Sequence, residues 1–301
     1  MSAHGRCEAL AKPRTKRDGR VISGLRRIAL AAALPIAAQA AIAGRPCEDR
    51  PLEAQAVERG MALAETTARV LDTSGANVVV LARAGQDLSK YGLNYSHLGF
   101  AYRDDSQGAP VWRVAHKLNH CGSAEAALYR QGLGEFFLDR PHRYEAAFIV
   151  LSTDAQARLL PLLRDNTRLA QWHTPHYNML AYPWAQTYQQ SNQWALETLA
   201  GALEPAATTR RQAQAWLQLR GYEPTVLRLG PLTRLGARAT AANIAFDDHP
   251  NDKRFSDRIE TVTVDSVFAW LQRSQLGSAP VTVHPAMKLP ATVAPKAELR
   301  A

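Results

Sequence analysis

The stretch YSHLGFAYRDDSQGAPVWRVAHKL, residues 95–118, predicts two adjacent antiparallel β-strands. Large apolar side chains alternate with smaller or polar ones over 95–103, and a similar alternation occurs over 110–118. This is the period of two that strands show. The link DDSQGAP between them has the composition of a hairpin loop. The alternation places His97 on the small-residue face of the first strand and His116 among apolar residues of the second. Two neighbouring strands therefore each carry a histidine.

The segments around this hairpin predict the remaining elements of one α+β domain. Apolar residues have helical spacing over 53–72, and a β-branched run over 76–85 predicts a buried strand. Further along, Ser123 caps a predicted helix with the sequence AEAALYRQGLGEFFL. We therefore predict an antiparallel sheet packed against helices, in a single domain over residues 44–273. Four prolines and little periodicity predict that 274–301 is a flexible tail.

The formal net charge of +9 is concentrated at the N-terminus of the chain. Residues 1–43 hold eight Lys or Arg and two acidic residues, and so carry +6 of that total. The remaining +3 is an ordinary balance, without the stripe of basic residues that binding to DNA or RNA requires. The charge distribution therefore excludes a nucleic-acid-binding function.

The first 43 residues have the pattern of a secretory signal peptide. A basic region ends at Arg27, the uncharged run IALAAALPIAAQAAIA follows over 28–43, and Ala41 and Ala43 form a cleavage site. The run is rich in alanine, is interrupted by Pro35 and is shorter than a membrane-spanning helix. We therefore predict a periplasmic or secreted protein with no membrane span after cleavage near Ala43. The pattern leaves open the general or the twin-arginine export route, and a start of translation downstream of the first methionine.

Two cysteines, Cys47 and Cys121, would remain after this cleavage. An even pair in an oxidising compartment predicts a disulfide between them. The alternative is two independent thiols, of which one could be catalytic. The compartment favours the disulfide.

The sequence YQQSNQWALETLAGAL, residues 188–203, predicts a helix that begins near Ser191. The N-terminus of a helix offers unpaired N–H groups and partial positive charge, which favour a nucleophile and stabilise an oxyanion. His97 is the candidate base, and His116 or Asn119 could orient it. Serine is also a preferred N-cap residue, and capping alone would explain its presence at this position.

Metal binding is a weaker alternative. A zinc site could use histidines and a cysteine, but neither an HExxH helix nor a CxxC pair is present. The acidic loop 246–258 lacks the glycine and terminal glutamate of a calcium-binding EF-hand. We therefore predict no metal and no cofactor. The residues that a zinc site would draw on are His116, His120, Cys121, His173 and His176.

Several long motifs identify the chain as resembling a family of secreted bacterial proteins of unassigned activity, the domain-of-unknown-function family 2145. The resemblance covers residues 47 to 272. The motifs are RAGQDLSKYGLNYSHLGFAYRD, WRVAHKLNHCG, ALYRQGLGEFFLD, YPWAQTYQQSNQWALETLA and the segment from RLGPLTRLG to VDSVFAWL.

A more distant resemblance is to circularly permuted papain-like hydrolases of the NlpC/P60 type. Those proteins place a histidine on a strand, a polar residue on the next strand and a cysteine at the start of a helix. YSHLGF resembles their SHxGI strand, and SNQWALETL resembles their helix with the pattern C-x-x-[FW]-aliphatic. The resemblance implies a permuted papain-like core with His97 as base, His116 as polar partner and Ser191 at the nucleophile position. Serine replaces the family's cysteine, which implies either serine chemistry or a fold that has lost catalysis.

Together these patterns predict an amide or ester hydrolase of the cell envelope. Backbone N–H groups near Asn192 would hold the oxyanion. The alternative is a non-catalytic envelope protein that binds a peptide, glycan or lipid in the same cleft. Under either hypothesis, Trp184, Tyr188 and Trp194 are predicted to line that cleft.

Overall fold

The computed structural model describes residues 51–106 and 108–285 of the 301-residue chain. The strands of this part are β1 (Val78–Arg83), β2 (His97–Asp104), β3 (Val111–Asn119), β4 (Ala126–Gly132), β5 (Ala146–Val150), β6 (Thr225–Arg228), β7 (Arg258–Thr261) and β8 (Val281–Val283). Its helices are α1 (Ala54–Thr73), α2 (Leu133–Phe137), α3 (Thr153–Arg164), α4 (Asn166–Leu169), α5 (Ser191–Leu203), α6 (Arg210–Leu219), α7 (Pro231–Thr240), α8 (Asn251–Phe255) and α9 (Val264–Arg273).

Six strands form one antiparallel sheet in the order β4-β3-β2-β1-β5-β8, and β6 pairs with β7 in a separate two-stranded sheet. The predicted hairpin is present, with Asp104 opposite Val111 and Phe100 opposite Ala115. The structure therefore confirms the α+β class and the antiparallel sheet packed against helices. The papain-like arrangement of that core remains a prediction.

The large sheet is covered on both faces, because successive side chains of a strand point in opposite directions. In β1, Val78 and Val80 belong to the core cluster that includes α3 and α5. Val79 and Leu81 belong to the cluster on the other face, which includes α1 and α2. All six residues of β1 are buried. Each large apolar side chain removed from water in this way stabilises the fold by about 1.5–3 kcal/mol.

The segment predicted as a helix after Ser123 is instead the strand β4, followed by the short helix α2. Its alanine, leucine, arginine and glutamine residues favour a helix in isolation. Pairing with β3 overrides that preference, from Asn119 opposite Ala126 to Arg113 opposite Gly132. The pairing of β4 with β3 determines which side chains face His116.

The C-terminal part of the domain also extends beyond its predicted end at residue 273. Strand β8 pairs antiparallel with β5, with Val283 opposite Ala146, and forms an edge of the large sheet. Pro280 and Pro285 flank this strand. Proline is tolerated beside an edge strand, where no further ladder needs its missing N–H. The described part of the predicted tail, residues 274–285, therefore contains a sheet strand, and residues 286–301 lie outside the described residues.

The N-terminal predictions fall outside the described residues. The predicted signal peptide, residues 1–43, and Cys47 both belong to that undescribed part. The disulfide between Cys47 and Cys121 therefore stays a prediction. Across 51–106 and 108–285, no helix is long and apolar enough to span a membrane.

A buried carboxylate, Glu197, organises the polar interior between α5, α6 and the loop before α5. Arg210 of α6 donates to both of its oxygens, at 2.8 and 3.2 Å. Gln214 donates to Glu197 at 2.6 Å, Gln193 at 3.1 Å and Gln189 at 2.5 Å. A buried ion pair contributes net stability only when such further hydrogen bonds satisfy it. This cluster satisfies that condition and connects the loop to both helices.

Lys117, on β3, is buried beside this cluster. Its ammonium donates to the carbonyl of Thr174 and, at 2.9 Å, to Oε1 of Gln189. Burial and, after it, the positive charge of Arg210 lower the pKa of Lys117 from its ordinary value of 10.5 to about 7.

The stability of the protein is therefore expected to rise with pH above neutrality. Between the pKa of Lys117 in the folded state and its higher pKa in the unfolded state, the unfolded chain binds more protons, so the free energy of unfolding increases with pH. The free energy of unfolding, measured by urea denaturation, should increase by about 2 kcal/mol between about pH 7 and pH 9. Lys117→Met should remove this gain. An equal pH dependence in the variant would show that another group is responsible.

Candidate functional site

The site lies where β2 and β3 separate. Their pairing stops at Phe100 and Ala115, although β2 begins at His97 and β3 continues to Asn119. At Leu98, the backbone N–H donates instead to Oδ1 of Asn192 in the first turn of α5, at 3.0 Å. The side-chain amide of Asn192 also donates to the carbonyl of Val262, at 3.3 Å. The first turn of α5 therefore supplies the acceptor that β3 does not provide at this end of the sheet.

The two predicted histidines meet at this separation. Nε2 of His97 lies 2.9 Å from Nδ1 of His116, and the rings contact edge to face. Both side chains are buried. Gly99 lies directly beside His116, and a Cβ at this position would come within 2.8 Å of the Cβ of His116. The absence of a side chain at Gly99 therefore leaves the space that the second imidazole occupies.

A chain of hydrogen bonds continues from His116 to the protein surface. Nε2 of His116 lies 2.8 Å from Oε1 of Gln131, and Nε2 of Gln131 donates to Oε1 of Glu135 at 2.9 Å. Glu135 is exposed at the end of this chain. Because its carboxylate can only accept, it fixes which end of the Gln131 amide faces His116.

These contacts determine where the protons of the two imidazoles lie. Burial and, after it, the positive charge of the Arg83 guanidinium lower the pKa of His116 from 6.5 to about 3, so this ring is neutral. Its Nε2 donates to Gln131, which leaves Nδ1 as an acceptor. His97 must therefore donate from Nε2 to His116. In neutral His97, Nδ1 is then the basic nitrogen.

A cavity of about 240 Å³ opens beside this histidine pair. His97 and Ser191 both line it, together with Asn119 and Tyr177. Its size suits a small group, such as the reacting part of a larger ligand. Apolar walls are contributed by Leu227, Leu229 and Ile244. The structure therefore brings the predicted nucleophile and the predicted base to one cavity.

Ser191 is the first residue of α5 and is not its cap. The N-cap residue is Gln190, whose side-chain oxygen accepts from the N–H of Asn192 at 3.3 Å. The hydroxyl of Ser191 interacts instead with the phenol of Tyr177. Burial raises the pKa of Tyr177, so the phenol is protonated at neutral pH. Capping therefore does not explain the serine at this position.

Asn192, which the sequence analysis places at the oxyanion site, lines the cavity. The N–H of Asn192 is used by Gln190, and its side chain holds β2 to the segment at Val262. The side chain of Asn192 therefore connects the first turn of α5 to β2 and to the segment at Val262. The alternative orienting group, Asn119, donates to the carbonyl of His120. His116 is the residue that contacts His97.

The three aromatic residues predicted to line the cleft do not line this cavity. Trp194 is fully buried and packs against Phe100, with 6.1 Å between ring centroids. It lies one helical turn beyond Ser191, past the point where the strands separate. Trp184 packs against Tyr222, and Tyr188 donates to Asp247 at 3.3 Å. Of helix α5, only Ser191 and Asn192 line the cavity.

The described residues do not form the alternative zinc site. Across 51–106 and 108–285, no group of three or more histidine, cysteine or acidic side chains could hold a metal ion. His116 is used by His97 and Gln131, and His176 pairs with Glu125 at 2.9 Å.

Comparison with known proteins identifies the family of this chain but assigns it no activity. The profile of a family described as an uncharacterized protein conserved in bacteria (DUF2145) matches residues 70–271. The chain belongs to this family. The matched range contains Ser191, both histidines, Gln131 and Glu135. No curated protein and no solved structure matches the chain.

Four residues that contact the predicted site residues are not predicted from the sequence: Gln131, Glu135, Tyr177 and Gln190. Gln131 and Glu135 were assigned to a single helix, on which neither would face His116. The run ALYRQ over 127–131 has no alternation of polar and apolar residues, so the local sequence contains no signal for a strand at this position. Tyr177 lies in an irregular loop, where sequence periodicity predicts no contact.

Proposed function

We propose that this protein is a serine hydrolase that cleaves an ester or amide bond. Ser191 is the nucleophile, and His97 is the base through its Nδ1 atom. His116, held by Gln131 and Glu135, is a positioning residue. The observation that carries this proposal is the hydrogen-bond chain from Glu135 to His97, because it selects the tautomer of His97 that is basic at Nδ1.

In the first half of the reaction, Nδ1 of His97 takes the proton of the Ser191 hydroxyl as Oγ attacks the carbonyl carbon. The imidazolium that forms is stabilised by its hydrogen bond to the neutral His116. His97 then gives the proton to the leaving alcohol or amine, and the carbon–oxygen or carbon–nitrogen bond breaks. In the second half, His97 takes a proton from water, which attacks the acyl group and regenerates Ser191.

The oxyanion of the tetrahedral intermediate requires hydrogen-bond donors at the helix N-terminus. The N–H of Ser191 lies in the first turn of α5, where helix geometry provides no intrahelical acceptor. The protonated phenol of Tyr177, which interacts with Ser191, is the second candidate donor. Removing one such donor in other hydrolases lowers the rate by about 10²–10³-fold.

The resemblance to permuted papain-like hydrolases supports this assignment through chain order. A histidine on β2, its partner on β3 and a residue opening α5 occur in the order which that resemblance implies. The predicted signal peptide favours a substrate in the cell envelope. Serine in place of cysteine makes the reaction depend wholly on His97, since a serine hydroxyl does not ionise near neutral pH.

A second candidate function is binding without catalysis in the same cavity. One observation favours it: Oδ1 of Asn243, a buried residue that lines the cavity, has no hydrogen-bond partner among the described residues. A ligand with an N–H or O–H group would satisfy this oxygen. A hydrolase and a binding protein differ in whether Ser191 reacts.

Labelling with a fluorophosphonate probe distinguishes the two functions. We expect a covalent adduct on Ser191, located by peptide mass spectrometry, and no adduct in Ser191→Ala. Ser96→Ala is the matched control, because Ser96 also lines the cavity and its hydroxyl accepts from the N–H of Gln86. Labelling of Ser96→Ala should equal that of the wild type. A folded wild-type protein that takes up no probe would reject the hydrolase and leave the binding function.

A further inference from the structure

Helix α7 exposes an apolar stripe to solvent. Leu232 is 85% exposed and Leu235 is 66% exposed, and no residue of α7 is buried. At about 100° per residue, Gly236 and Ala239 lie on the same side of the helix as these two leucines. Two leucines one turn apart on one face form a continuous apolar surface, unlike a single exposed leucine.

The same helix forms part of the cavity wall. Thr233 and Ala237 line the cavity that contains Ser191 and His97. On the helix, these two residues lie on the side next to the apolar stripe. Helix α7 therefore contributes to the cavity wall, and its exposed stripe lies beside the residues that do so.

The charged residues of the segment that contains α7 have one sign. Residues 224–246 contain three arginines and no aspartate or glutamate. Arg234 is paired with Asp257 at 2.9 Å, and its side chain also binds the carbonyls of Leu229 and Arg254. Arg228 and Arg238 are exposed and form no ion pair with a described residue. Arg238 flanks the leucine stripe on the side away from the cavity.

A second arginine cluster continues from this surface onto the small sheet. Arg228 of β6 lies directly opposite Arg258 of β7, and both are exposed. Like charges opposite each other on paired strands destabilise a sheet. The nearest carboxylate oxygen to Arg258 belongs to Glu260, at 4.0 Å, and Glu260 is already bound by Lys253. An anionic partner would relieve this repulsion.

We propose that α7 and the adjacent small sheet dock on an anionic lipid bilayer. The leucines would enter the boundary between headgroups and acyl chains, and Arg228, Arg238 and Arg258 would contact lipid phosphates. A bilayer fits this surface better than a protein partner does, because exposed leucines beside exposed arginines are the pattern of an interfacial helix. The cavity then faces the membrane. If the proposed function holds, its substrate class is an acyl ester or amide of a membrane lipid.

Vesicle flotation tests the docking directly. The probes are vesicles of phosphatidylglycerol and phosphatidylcholine in equal amounts, and vesicles of phosphatidylcholine alone. We expect the protein, purified as its host processes it, to bind the anionic vesicles at least about tenfold more tightly. The double variant Leu232→Ser, Leu235→Ser should lose that binding by at least about tenfold. Leu219→Ser is the matched control, since Leu219 is 83% exposed on α6 and does not line the cavity.

Three outcomes would overturn the docking proposal. The wild type could show no preference for anionic vesicles, or Leu219→Ser could lose as much binding as the double variant. Alternatively, light scattering could show a dimer that the double variant converts to a monomer, in which case a second copy of the chain covers the stripe.

The failure of docking and the failure of hydrolysis can be told apart. Ser191→Ala should bind vesicles as tightly as the wild type. Vesicle binding without probe labelling would retain the docking surface and reject the hydrolase. Probe labelling without vesicle binding would retain the hydrolase and reject the membrane as its substrate source.

Discussion

His97→Ala is expected to slow fluorophosphonate labelling of Ser191 by about 10³-fold, within the range that a general base contributes. Without Nδ1 of His97, no positioned group takes the proton of the serine hydroxyl. The measurement is the second-order rate constant of labelling, which needs no knowledge of the natural substrate. Circular dichroism on the same sample should show an unchanged fold.

His120→Ala is the matched control for this experiment. His120 follows β3 directly in sequence, but it is exposed, whereas His97 is buried. Its labelling rate should equal that of the wild type. If His97→Ala is labelled as fast as the wild type, the base is another group and the proposed mechanism is wrong.

Glu197→Ala is expected to lower the free energy of unfolding by about 3–5 kcal/mol, measured by urea denaturation. The substitution leaves the buried guanidinium of Arg210 without its carboxylate, and it also removes an acceptor from Gln214 and Gln189. Removing one partner of a buried pair costs more than removing both.

Two further variants make this prediction decisive. Glu197→Met combined with Arg210→Met should recover part of the lost stability, because no buried charge is left unpaired. Glu223→Ala, at an exposed carboxylate, should change the free energy of unfolding by no more than about 0.5 kcal/mol. A loss of less than about 1 kcal/mol in Glu197→Ala would show that water or other groups satisfy Arg210. If Glu197→Ala does not fold, the double variant alone gives the comparison.

The cluster around Glu197 also connects stability to the site. Arg210 donates to the carbonyls of Gln186 and Tyr188 in the loop before α5, at 3.0 Å each. The loop therefore reaches the first turn of α5 in a defined position, and Ser191 follows directly. Loss of Glu197 should for this reason also slow probe labelling of Ser191, in the fraction of protein that remains folded.

Local sequence patterns alone placed the two histidines correctly. The alternation over residues 95–118 and the loop between the two runs predict neighbouring antiparallel strands, and the structure has His97 and His116 on β2 and β3. The start of α5 at Ser191 is likewise predicted by the apolar periodicity of its own sequence. Strand alternation, hairpin turns and helix periodicity are short-range properties, so a single sequence is sufficient to show them.

Tertiary structure alone decided which partners complete the site. Gln131 faces His116 only because β4 pairs with β3, and that pairing overrides the helical preference of its residues. Gln190, and not Ser191, caps α5, while Trp194 lies in the core because its turn of the helix rests on Phe100. Helices α5 and α7 are separate in the chain, and only tertiary packing brings residues of both to one cavity. Contacts between distant segments depend on the packing of the whole domain, whose burial and hydrogen bonds outweigh the weak local preferences of any one segment.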